Sequence, residues 1–248
     1  MTPNPIAKAL SSIQPRQVRA LVMGGQACVL YGAAEFSRDL DLALGLSAAD
    51  RERFQQLLSD LGAKTIAVPP FEDRFLEAGH AAHFRCSATG VAGLRIDVMT
   101  VLRGLPGFDT LWDRRTTVET PDGLRIEVLS LPDLVRSKKT QRDKDWPMIR
   151  RLVEAHYLRH RKEATEPQVR FWLLECRTPE ILAELVRHHR PLARTLVSER
   201  SLLALAPESA SEQWEDRLAE EERGERQRDR EYWRPLRSEL EQLRRRTS

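Results

Sequence analysis

The apolar positions change period several times along the chain, and each change marks an element. Residues 5–18 carry Ile6, Leu10 and Ile13 at helical spacing, which predicts a short helix. Val18 to Val22 is an apolar run, broken only by Arg19, that ends in Met23-Gly24-Gly25. The next residues, Gln26 to Gly32, return to helical spacing through Ala27, Leu30 and Tyr31. Phe36 to Leu44 alternates as a strand does. Leu40, Leu42 and Leu44 point one way, and Asp39, Asp41 and Ala43 the other. A helix is predicted after it, with Ser47 as N-cap, Phe54, Leu57, Leu58 and Leu61 as its buried stripe, and Gly62 at its end.

Beyond that helix, Lys64–Val68 reads as extended, Pro69-Pro70 breaks it, and a mixed stretch runs to Gly79. His83–Ala88 and Leu94–Val101 read as a hairpin joined through Gly90 and Gly93. Arg103–Phe108 reads as a Gly/Pro loop. Thr116–Glu119 and Leu124–Val128 flank Pro121-Asp122-Gly123, a turn signal. Leu131-Pro132-Asp133 opens a helix with Leu134 and Val135 inside and Lys138 and Lys139 one turn on. From Trp146 the pattern is helical nearly to the end. The fold class expected is α+β, a mixed sheet followed by a helical extension. The change of composition at Arg161–Pro167 sets the expected domains at 1–160 and 161–248. From Ser211 on, 11 acidic residues face 10 arginines, while Trp233, Leu236, Leu240 and Leu243 keep helical spacing. That pattern predicts an amphipathic helix packed on its own domain rather than an RNA-binding tail.

Composition narrows the classes. Apolar residues are 41% of the 248 and charged residues 31%, the balance of a charge-rich globular protein. The longest weakly polar stretch, Ala20 to Ala34, is shorter than the roughly 20 apolar residues of a bilayer span, so no membrane segment is expected. The first residues hold prolines and no apolar run, so no secretory leader is expected either. Cys28, Cys86 and Cys176 form no closely spaced pair, which points to a reducing cytoplasm. A net charge of +3 gives no general argument for nucleic acid.

The candidate chemistry lies in the order of four elements. A strand ends in Gly24-Gly25, a short helix follows, the next strand carries Asp39-Leu40-Asp41, and a later strand carries Asp97. Residues two apart in a strand share a face, so the Asp39 and Asp41 carboxylates stand side by side. Their repulsion is relieved by a divalent cation, and oxygen-only ligands suit Mg²⁺ or Mn²⁺. The glycine turn leaves backbone N–H groups at a helix N-terminus for a phosphate. Metal ligands beside such a turn point to a nucleoside triphosphate.

Met23-Gly24-Gly25, a spacer of thirteen residues, and Asp39-Leu40-Asp41-Leu42 resemble the signature of the nucleotidyltransferase superfamily, the DNA polymerase β-like fold. Pro132–Lys139 followed by Arg142-Asp143-Lys144-Asp145 is similar to a segment of small bacterial members, among them abortive-infection-type nucleotidyltransferase toxins. The resemblance covers residues 18–155. It implies that Asp39, Asp41 and Asp97 are the catalytic and metal-holding residues, and that Gly24, Gly25, Ser37 and Lys138 bind the nucleotide. Lys139, Arg142 and Lys144 are weaker candidates of the same kind. Glu35 stands where relatives often carry arginine, while Ser37 matches.

The implied activity is metal-dependent transfer of a nucleoside monophosphate from an NTP to RNA, a protein hydroxyl or a small molecule. A toxin acting on tRNA or protein, with a cognate antitoxin, falls within it. The competing expectation is a catalytically inactive module of the same fold that binds a nucleotide or a partner. Among the histidines, His80 and His83 read as edge or loop residues that could alternatively contact nucleotide. His156 and His160 have zinc-compatible spacing without a third ligand, and His188-His189 reads as a solvated helix end. Asp143 and Asp145 read either as partners of Lys138 or Arg142, or as surface charges.

Overall fold

A computed structural model describes residues 4–247 of the chain. Seven strands form one mixed sheet: β1 (Ala20–Met23), β2 (Asp39–Leu44), β3 (Lys64–Thr65), β4 (Ala82–Arg85), β5 (Arg95–Met99), β6 (Thr116–Glu119) and β7 (Arg125–Val128). Their order is β3-β4-β5-β2-β1-β7-β6. The β2–β5 and β1–β7 pairs are parallel, and the other neighbours are antiparallel. Helices α1 (Pro5–Ile13), α2 (Gly24–Leu30), α3 (Ala48–Asp60), α4 (Asp73–Glu77), α5 (Phe108–Asp113) and α6 (Leu131–Ser137) are interleaved with the strands. After them come α7 (Asp145–His160), α8 (Glu166–Glu175), α9 (Pro179–His188), α10 (Arg190–Thr195) and α11 (Ser211–Thr247).

The apolar pattern explains the centre of the sheet. β1 is buried at all four positions, as its unbroken apolar run requires of a strand covered on both sides. On β2 and β5, Leu40, Leu42, Ile96 and Val98 are buried and the residues between them are half-buried, apart from Ala43, which is buried too. Phe84 lies opposite Ile96 in the ladder, and Phe54 of α3 meets it with ring centroids 6.4 Å apart. α3 therefore covers the face formed by the leucines. Its start is fixed by Ser47, whose Oγ accepts the Asp50 N–H at 3.0 Å.

Several boundaries differ from the sequence reading. β2 begins at Asp39 rather than Phe36, and Phe36 is 69% exposed. The helix after β1 starts at Gly24 itself. Of Lys64–Val68 only Lys64–Thr65 pairs as a strand. The mixed stretch before Gly79 contains α4, and α5 begins where the Gly/Pro loop ends. Helices of five or six residues complete too few turns to print a period.

The chain divides into two units, one of residues up to Ser137 together with those from Tyr232 on, the other of Lys138–Glu231. Residues 161–167, where composition set the expected boundary, fall inside the second unit. The shift of composition there marks only the 3₁₀ turn Arg161–Glu163 between α7 and α8. These two helices are tied together: Trp172 Nε1–H donates to His156 Nδ1 at 2.9 Å, and Tyr157 packs edge-on against Trp172. The helix expected in the tail is α11, with Leu236 buried and Trp233, Leu240 and Leu243 half-buried. No helix among the described residues is long and apolar enough to cross a membrane.

Candidate active site

The sheet unit brings Asp39, Asp41, Arg95 and Asp97 to one face. In the parallel β2–β5 ladder Asp39 lies opposite Arg95, and Asp41 opposite Asp97. Met23 of β1 lies opposite Asp41 on the other side. Alternate residues share a face, so Asp39, Asp41, Arg95 and Asp97 all project away from the leucine face. Asp39, Asp41 and Asp97 are each half-buried.

The glycine turn next to Met23 is shaped around Asp41. Gly24 has φ +63°, and a Cβ there would overlap the Asp41 carboxylate. The Gly25 N–H donates to Asp41 Oδ2 at 3.3 Å. A Cβ on Gly25 would lie 2.7 Å from Ser37 Oγ, and that hydroxyl donates to the Asp39 carbonyl at 2.9 Å. Gly24, Gly25, Ser37 and Asp41 thus lie together at the turn, with the Asp39 carbonyl joined to Ser37. One expectation changes. The Gly25 N–H is not left over for a ligand but is engaged by Asp41. The glycines are required in the first place so that Asp41 and Ser37 can approach the turn.

Asp97 has partners of its own. Its Oδ1 accepts from Arg95 Nε at 2.8 Å and lies 2.8 Å from His83 Nδ1, which donates in the tautomer protonated there. Burial alone would raise the Asp97 pKa, but the hydrogen bonds from His83 and Arg95 outweigh it and hold the carboxyl below its ordinary range. Arg95 is held more firmly protonated than an ordinary arginine, first by its hydrogen bond to Asp97. The charges of Asp97, Asp39 and Asp41 add to that effect.

Among the described residues no group of three or more His, Cys, Asp or Glu side chains is arranged to hold a metal ion. The physical reason is visible at Asp97, which is turned onto Arg95 and His83. The donor chemistry nonetheless fits a hard divalent cation. All three acidic residues offer oxygen, and the positive charge their field already holds is the Arg95 guanidinium.

Lys138 belongs to the other unit. α6 ends at Ser137, and Lys138 lies just past it, 8% exposed, with Nζ 3.5 Å from Asp145 Oδ1. Thr140 Oγ1 and Arg142 Nε donate to Asp145 Oδ2 at 2.6 and 2.7 Å. Asp145 is therefore a partner of both Lys138 and Arg142, whereas Asp143 pairs with Arg226 at 2.5 Å. Lys139 pairs with Glu175 at 2.6 Å. His80 is buried with Nε2 2.8 Å from Glu239 Oε2. His156 and His160 stack with ring centroids 4.6 Å apart.

Arg95 is the residue that sequence reasoning missed, and His83 is the one it undervalued. Both were within reach. A hairpin centred on Gly90 pairs residues whose numbers sum to 180, which puts His83 opposite Asp97, as the ladder does. Arg95 is two residues from Asp97 on the same strand and so must share its face.

No family model and no curated protein matches the chain. Among solved structures, the crystal structure of JHP933 from Helicobacter pylori is similar over 94% of this chain and 94% of that one, with 14% identity and a TM-score of 0.37, a likeness too loose to carry an argument.

Proposed function

We propose that the sheet unit is a metal-dependent nucleotidyltransferase with a polymerase β-like core, moving a nucleoside monophosphate from an NTP to a hydroxyl acceptor on RNA, protein or a small molecule. One observation carries this reading: Asp41 and Asp97 lie directly opposite each other on parallel strands, with Asp39 on the same face and a glycine turn against Asp41. Asp39, Asp41 and Asp97 would hold Mg²⁺ or Mn²⁺, which when bound neutralises phosphate charge and lowers the pKa of an attacking hydroxyl. Arg95 places a guanidinium at the same face, where it can receive a phosphate oxygen once its carboxylate partners are otherwise engaged. His83 holds Asp97 oriented and ionised, and the pair can take up the proton of the attacking hydroxyl. Ser37 Oγ adds a hydroxyl beside the turn. The three cysteines are buried, which suits a cytoplasmic setting. Toxicity, with a cognate antitoxin as partner, is one biological use of this chemistry.

A second reading is favoured by the Asp97 ion pair. A module that binds nucleotide without turning it over has no need to release Asp97 from Arg95. The test incubates the protein with each α-labelled NTP, Mg²⁺ or Mn²⁺, and total cell RNA or lysate. Transferred label with pyrophosphate release, both lost in Asp41→Asn, is the expected result. Divalent-dependent NTP binding with no pyrophosphate released under any combination transfers the assignment to the non-catalytic module.

A further inference from the structure

On the opposite face of the sheet from the carboxylates, the unit holds a half-open cavity of about 420 Å³. Ala20 and Val22 of β1 and Ile126 of β7 line its floor, Leu10 and Ile13 of α1 form a wall, and Trp112 of α5 closes one side. Four arginines, Arg19, Arg53, Arg115 and Arg125, stand around this apolar interior, and Glu127 is the one carboxylate among the lining residues.

Two of the four are already committed. Arg115 Nε pairs with Glu127 Oε2 at 2.8 Å while its guanidinium lies 4.2 Å from the Trp112 ring centroid. Arg19 pairs with Asp109 at 2.6 Å and lies 5.2 Å from the same ring. The other two are not. Arg53 donates to the Gln17 carbonyl at 3.3 Å, and Arg125 is exposed on β7 with no ion pair among the described residues. The cavity thus combines an apolar floor, an aromatic wall and two arginines without an ion pair among the described residues, Glu119 lying opposite Arg125 in the β6–β7 ladder.

We infer that this cavity binds an amphipathic organic anion, with an apolar body on the Ala20–Val22–Ile126 floor and one carboxylate or phosphate head taken by Arg53 and Arg125. Its volume lies within the roughly 300–1,000 Å³ of small-molecule sites. An inorganic oxyanion would leave the floor wet. A neutral apolar molecule would leave the two guanidinium groups unanswered, and those groups are forked donors matched to carboxylate and phosphate. The inference is independent of the carboxylate face and stands whether or not that face is catalytic.

Isothermal titration of the full chain with decanoate, decyl phosphate, decanol and inorganic phosphate tests it. Decanoate or decyl phosphate should bind roughly tenfold or more tightly than decanol or phosphate, and the better of the two heads identifies the source of the anion. Arg53→Glu/Arg125→Glu should lose that binding by a similar factor with an unchanged circular dichroism spectrum, while Arg53→Lys/Arg125→Lys should keep most of it. If the reversed pair does not fold, Arg53→Gln/Arg125→Gln serves in its place. Equal affinity for decanol and decanoate, unchanged affinity in the charge-altered variants, or no binding of any of the four overturns the inference.

Discussion

In the helical unit, buried Arg200 donates to the Leu173 and Cys176 carbonyls at 2.8 and 2.9 Å and to both oxygens of Glu221. Lys138 and Lys139 of the same unit are closed by Asp145 and Glu175. On the carboxylate face of the sheet unit, by contrast, Asp39, Asp41 and Asp97 share the field of Arg95. Charges answered within the fold act as scaffold. Charges in excess on the central strands cost stability unless something binds them. The contrast predicts that removing a charge from the helical network destabilises the fold, whereas removing a carboxylate from the sheet face does not.

The largest effect belongs to Arg200→Met. It leaves two carbonyls and Glu221 without their donor in a buried site, a loss of about 3–5 kcal/mol. Urea denaturation followed by circular dichroism measures it. A loss below about 1 kcal/mol would mean that the ion pairs of the helical unit are as dispensable as surface ones.

Next comes His156, whose pKa is drawn down to about 4, chiefly by burial and further by His160 and Arg159. Its Nδ1 accepts from Trp172, so the fold requires this nitrogen unprotonated. An unfolded histidine titrates near 6.5. Between those two values the unfolded chain binds the extra proton, so stability is complete above about pH 6.5 and falls as pH drops toward 4. The ceiling of that loss is about 3 kcal/mol, less in practice because the ring is part-exposed. His156→Gln, which can still accept from Trp172, should flatten the pH dependence of the urea midpoint. Parallel slopes for wild type and variant would count against this origin.

In the sheet unit, Gly24→Ala should cost about 1–3 kcal/mol from its left-handed backbone alone, plus the displacement of Asp41. Pairing it with Asp41→Gly, which removes the Asp41 Cβ as well as the carboxylate that a Gly24 methyl would overlap, separates the two parts. The double variant should recover the steric part and retain the backbone part, a non-additivity read from a double-mutant cycle. Simple additivity would mean that Gly24 and Asp41 do not confine each other.

The local elements were legible where period and chemistry coincide. Asp39 and Asp41 share a face because strands alternate, and Asp97 follows from the same rule on its own strand. Ser47 announced α3. What could not be read depends on contacts distant in sequence. The pairing of Lys138 with Asp145, seven residues on, was readable as one alternative, but the burial of that lysine just past the end of α6 was not. The division into units differs from the boundary expected at 161–167, where composition registers a polar turn but not the packing of Trp172 against α7. Nor does local pattern reveal that the residues after Tyr232 rejoin the unit of the sheet. Arg95 was legible in principle but hidden by expectation, since a carboxylate set read as a metal site draws no attention to a cation already among it.

The smallest effect, and the one that most sharpens the contrast, is that of Asp41→Asn on the metal-free protein. Asparagine keeps the shape and can still accept the Gly25 N–H through its oxygen. It removes one of three negative charges that share Arg95. The melting temperature should therefore stay constant or rise, by no more than about 1 kcal/mol of added stability. Millimolar Mg²⁺ or Mn²⁺ should then raise the melting temperature of the wild type, because a ligand that binds the folded state stabilises it by mass action, and should raise that of Asp41→Asn less. Arg95→Gln gives the opposite pattern: it leaves the three carboxylates without their guanidinium, so the metal-free protein should lose stability and regain it when divalent cation is added. If Asp41→Asn destabilises as Arg200→Met does, the carboxylate face is scaffold like the ion pairs of the helical unit. If neither variant changes the response to divalent cations, Arg95 and Asp41 are not neighbours of a metal site, whatever the pyrophosphate assay shows.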